Sequence, residues 1–88
     1  MFDFQKLSVY QKAKAFRKVA KNLILQNSFD KTTNDQLSRA SMSIALNIAE
    51  VSSRFSWKDR RHFMVIARGS AFECFAILEI LNEDGEIS

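Results

Sequence analysis

The stretch TNDQLSRASMSIALNIAEVSS, Thr33 to Ser53, decides the fold. Its apolar residues Leu37, Ala40, Ile44, Ile48 and Val51 return every three or four positions, the step of one helical face. Ala40, Ser41, Ser43, Ala45, Ala49, Ser52 and Ser53 beside that stripe are too small to hold neighbours apart, so this helix is expected at the centre of the domain. Thr33-Asn34-Asp35-Gln36 has the form of a capping box, with a hydroxyl for a free amide and a glutamine three residues on, and sets the expected start.

Upstream, from Phe4 to about Leu25, Val9, Tyr10, Ala13, Phe16, Val19, Ala20, Leu23 and Ile24 recur at the same helical step. Opposite them Lys14, Arg17, Lys18 and Lys21 share one stripe expected to face solvent. In the short linker Gln26 to Thr32, Phe29 is expected to fold back as a plug. Downstream, Ser56 before Trp57, Lys58 and Asp59 reads as a second helix start. The third helix has a core stripe of Phe63, Met64, Ala67, Ala71, Cys74, Leu78 and Leu81 and stops at Asn82-Glu83-Asp84-Gly85. It also has a second apolar stripe, Val65, Phe72, Ala76 and Ile80, with Gly69 in line. A three-helix subunit cannot bury both stripes, so the second is the expected oligomer interface.

The whole chain is 88 residues, 47% hydrophobic and 26% charged, with no proline and two glycines. That leaves little of the punctuation a many-stranded sheet needs. The expectation is one all-α domain over residues 1–88, an antiparallel up-down bundle with helices at about 4–26, 33–53 and 57–82. A single cysteine makes no internal disulfide and no zinc set. The N-terminus has no signal-peptide core, and no stretch approaches the roughly 20 apolar residues of a membrane span. A soluble cytoplasmic protein without a membrane partner is the simplest expectation.

Net charge is +3, but residues 1–31 carry seven cations against two acids, whereas residues 69–88 carry five acids and no base. Such polarity attracts a polyanion to the basic end or orders subunits against one another. The candidate phosphate contacts are Lys14, Arg17, Lys18 and Lys21, with Arg39, Lys58, Arg60 and Arg61. Phe55, Trp57 and Tyr10 could stack on unpaired bases, although aromatics at helix ends more often staple the core. Asn47, Glu50 and Arg54 on the second helix and Arg68, Ser70 and Glu73 on the third suggest a structural polar clasp between the two. His62 has no partner set for a metal or for acid/base work, and Cys74 lies in a core stripe. No phosphate loop, nucleophile elbow or metal cluster is present, so no enzyme, metal or cofactor is expected.

The run Arg39 to Glu50, then Arg54, Phe63, Ala67-Arg68-Gly69-Ser70 and Glu73, with Leu7, Tyr10, Gln11 and Ala13 upstream, resembles a bacterial four-helix-bundle family. The family is known from proteins encoded in 23S ribosomal RNA intervening sequences, and the resemblance covers most of the chain. Its members commonly have proline where Ala45 stands and glycine where Val51 stands, and continue into a fourth helix, here missing or truncated. The resemblance extends to the accessory protein of diversity-generating retroelements. It implies a homo-oligomer, a pentamer in that relative, with RNA or DNA and a reverse transcriptase or other protein as possible partners. The expected function is a non-enzymatic oligomer that binds RNA or serves a ribonucleoprotein; the alternative is a protein-interaction adaptor without nucleic-acid binding.

Overall fold

A computed structural model of the chain describes residues 7–87. It is all-helical in its described elements, with α1 Ser8–Gln26, α2 Lys31–Ser53 and α3 Trp57–Glu83. Phe4, the expected start of α1, lies outside the described residues, but the described helix begins later than expected, at Ser8, with Leu7 before it in extended backbone. In α2 the start moves upstream of Thr33: Asp30 is the cap, its carboxylate accepting from the Thr33 amide at 2.7 Å. That hydrogen bond holds the Asp30 carboxyl below its ordinary value. Ser56 caps α3 as the sequence indicates, accepting from the Asp59 amide at 3.0 Å. Gly85 closes α3 in the left-handed region (φ 76°), and the Glu86 amide returns to the Leu81 carbonyl at 2.9 Å. The helix α2 runs unbroken through Ala45 and Val51.

α2 is the centre. It packs against α1 on one side and α3 on the other, while no Cα of α1 comes within 8 Å of a Cα of α3. Its small residues explain the arrangement, since Ala40, Ser41 and Ala45 are buried together with Leu37 and Ile48. One core cluster joins Ala13, Ala45, Ile48 and Ala67; a second joins Ala20, Leu37, Ala40 and Cys74. Phe29 is buried as the expected plug. Burial pushes the Cys74 thiol up, and Glu73 beside it adds to the rise. In α3, Ala67, Cys74 and Leu81 carry the core face, and Met64 and Ala71 of the expected stripe are exposed.

The separation of α1 from α3 leaves two apolar hollows. One, of about 330 Å³, lies between them over α2, lined by Val9, Phe16, Ile44, Cys74, Phe75 and Leu78. The other, of about 500 Å³, is lined by Leu7, Val51, Trp57 and Met64, with Arg60 and Arg61 in its wall.

The ionic clasp between α2 and α3 does not form. Glu50 pairs with Arg54 at 2.7 Å within one stretch of chain, both half-exposed, while Arg68 and Glu73 are exposed and make no ion pair among the described residues. Arg68 and Glu73 leave the core side of α3, so neither reaches α2. A neutral joint stands in its place. The Ser70 hydroxyl donates to the Ser43 hydroxyl at 2.8 Å, and the Asn47 amide donates to the same oxygen at 2.9 Å.

Candidate nucleic-acid interface

The cations fall into two groups. On α1, Lys14, Lys18 and Lys21 are exposed, as expected of a stripe opposite Ala13 and Ala20. Lys14 also places its ammonium 5.2 Å from the centre of the Tyr10 ring. Arg17 departs from the stripe. Its Nη1 donates to the Ser38 carbonyl at 3.0 Å and to the Ser38 and Ser41 hydroxyls at 3.1 Å, so it fastens α1 to α2. Arg17 begins where the lysines end, on the flank of α1 nearest α2, and a guanidinium is long enough to cross. Arg39 stands beyond it on α2, exposed, sharing a polar hollow of about 510 Å³ with Arg17 and Asn47.

The second group lies where α2 gives way to α3. Arg54 is held by Glu50 and stacks its guanidinium over the Phe63 ring at 4.6 Å. Arg60 donates through Nε to the Arg54 carbonyl at 2.8 Å, which ties the first turn of α3 to the end of α2. Lys58 and Arg61 are exposed, and their side chains make no hydrogen bond or ion pair among the described residues. His62 is exposed beside them, its ring edge-on to Phe63 at 5.2 Å. Between these cations stand two aromatics that do not staple the core: Phe55 is 93% exposed and Trp57 78%. The helix-end rule fails because Phe55 sits in the two-residue connection, between the end of α2 at Ser53 and the Ser56 cap, with no helical neighbour to pack on. A turn that short carries it outward.

The corner therefore combines exposed cations, exposed aromatic rings and the positive end of α3. Cations and the free amides of a helix N-terminus are groups that bind phosphate in general, and exposed rings are groups on which unpaired bases stack. Lys58, Arg60 and Arg61 crowd the first five residues of α3, where the helix dipole disfavours cations, and Asp59 is the acid there that offsets them. The sequence carries a signal for this corner in Arg54-Phe55-Ser56-Trp57-Lys58, aromatic and basic residues interleaved around a cap. What it does not carry is which way the rings turn.

Among the described residues no group of acids, histidine and cysteine is placed to hold a metal ion, and no helix is long and apolar enough to cross a membrane. A sequence model of the 23S rRNA-intervening sequence protein family matches residues 5–88. No curated protein and no solved structure matches the chain.

Proposed function

Since the chain belongs to the family of 23S rRNA-intervening sequence proteins, we propose that it is a non-enzymatic RNA-associated protein whose α2–α3 corner binds single-stranded RNA. The exposure of Phe55 and Trp57 among Lys58, Arg60 and Arg61 carries this choice. Duplex RNA hides its bases and is read through its backbone, so large bare rings suit a ligand whose bases are unstacked. Lys14, Lys18 and Lys21 extend the positive surface along α1, and Arg39 along α2. Arg17 serves by holding α1 against α2. The protein acts as an assembly of identical copies, for which the resemblance implies a five-membered ring.

Trp57 is the only tryptophan of the chain, so its emission reports on the corner alone. Titration with an unstructured single-stranded RNA should quench it, and added salt should restore it. Replacing Phe55 by alanine should weaken binding by about 1 to 3 kcal/mol, the range for one stacked base. A duplex of the same length should bind more weakly and quench little. Emission indifferent to single-stranded RNA in low salt would remove the corner as the binding site. An intact protein that binds partners and no RNA would then be the adaptor.

A further inference from the structure

The outer face of α3 is complementary to itself, and we infer that two copies of the chain pair antiparallel along this helix about a two-fold axis near Ser70. The inference rests on the self-association in the function proposed above and not on RNA binding. Val65, Phe72 and Ile80 form one exposed stripe, with Phe72 68% exposed. At about 100° per residue, Val65, Ala76 and Ile80 lie well round the helix from Ala71 and Leu78, which border the hollow between α1 and α3, while Phe72 stands beside Phe75 at the seam of the two faces. A helix laid in that hollow would leave Val65, Ala76 and Ile80 bare.

Two features of α3 have no reason within one subunit. Gly69 stands in the middle of the helix, where glycine is a poor helix former, yet a Cβ added there would meet nothing within 4 Å. The space is empty, so crowding within the subunit does not require the glycine. The charges also run against the helix dipole: Lys58, Arg60 and Arg61 stand at the positive end, Glu79 and Glu83 toward the negative end, with no base in the last turn. An isolated helix is weakened at both ends by that order.

Antiparallel pairing accounts for both. When Lys58 is set opposite Glu83 of a second copy, Arg61 falls opposite Glu79, Val65 opposite Ala76 and Gly69 opposite Phe72. The midpoint of each pair falls at Ser70 or between Ser70 and Ala71, so one axis satisfies all four. Each Phe72 then enters the notch left by the other copy's Gly69, each basic end meets an acidic end, and the two dipoles oppose. A parallel pair would set cations against cations. A two-fold contact closes on itself, which gives a dimer, or paired rings where the ring implied by the resemblance forms.

Cysteine pairs read the register directly. In a Cys74→Ala background, V65C and A76C proteins are mixed, oxidised gently and separated without reductant. The inference expects the mixed disulfide to exceed either self-disulfide. Gly69→Leu, which fills the notch from an exposed position, should weaken self-association by about tenfold or more while helix content by circular dichroism is kept. V65C joining chiefly to itself, no disulfide of any kind, or unchanged association in the Gly69→Leu protein would each overturn the inference. RNA titration of the same proteins separates the two proposals, since pairing without RNA affinity leaves the dimer standing and removes only the RNA function.

Discussion

Leu37 and Arg68 show how differently two residues of one sequence bear on stability. Leu37 is fully buried in the second core cluster with Ala20, Ala40 and Cys74, and larger side chains such as Leu23, Ile24 and Leu78 pack against that cluster. Leu37→Ala should therefore cost about 2 to 5 kcal/mol in thermal or urea unfolding. Arg68 is exposed and makes no ion pair among the described residues, so Arg68→Met should change stability by less than about 1 kcal/mol. A cost of several kcal/mol at Arg68 would restore the clasp that the structure withholds. Leu37 and Cys74 are legible in the sequence because periodicity alone says which side chains of a helix turn inward, and Phe29 because a large aromatic in a short linker folds back onto the core. Arg17 is not: its lysine neighbours mark it as solvent-facing, and only the presence of Ser38 and Ser41 across the helix contact reveals it as a fastener. Phe55 is misjudged for a similar reason, since a rule for aromatics at helix ends says nothing of a connection too short to fold back.

At the scale of an element, the three helices and their order are readable because each has an apolar stripe of one period, and the flanks of small residues already single out α2 as central. The start of α2 is harder. Asp30 and Thr33 both have a cap's chemistry, and Asp30 prevails because its carboxylate reaches the Thr33 amide, adding a turn before the expected box. The polar residues between α2 and α3 were legible as a meeting place but not as to chemistry: two serines and an asparagine make the joint, and the charged members point elsewhere. Gly69 yields a prediction at this scale. Since nothing lies near an added Cβ, Gly69→Ala should raise the stability of the α3 helix in a dissociated subunit by up to about 1 kcal/mol, seen as a higher melting temperature at low protein concentration. Destabilisation under those conditions would mean that the glycine is needed within the subunit.

The whole molecule is an open arrangement of helices around α2, with apolar hollows where α1 and α3 fail to meet, a basic corner bearing two bare aromatic rings, and α3 grading from cationic to acidic. The charge gradient is readable residue by residue in the sequence; where it gathers on the surface depends on how the helices lie together. RNA association is the central claim, and affinity measured across a salt series tests it most directly. Labelled single-stranded RNA is titrated into the unaltered protein and into a variant with Lys14, Lys18, Lys21, Lys58 and Arg61 replaced by glutamine, which retains good helix propensity. Each phosphate contact on a single strand contributes about 0.7 to the slope of log affinity against log salt, so losing three to five contacts should flatten it by about 2 to 4. Tight, salt-sensitive binding by the unaltered protein and a flattened slope in the variant are the predicted result; equal slopes, or no binding by either, would contradict it.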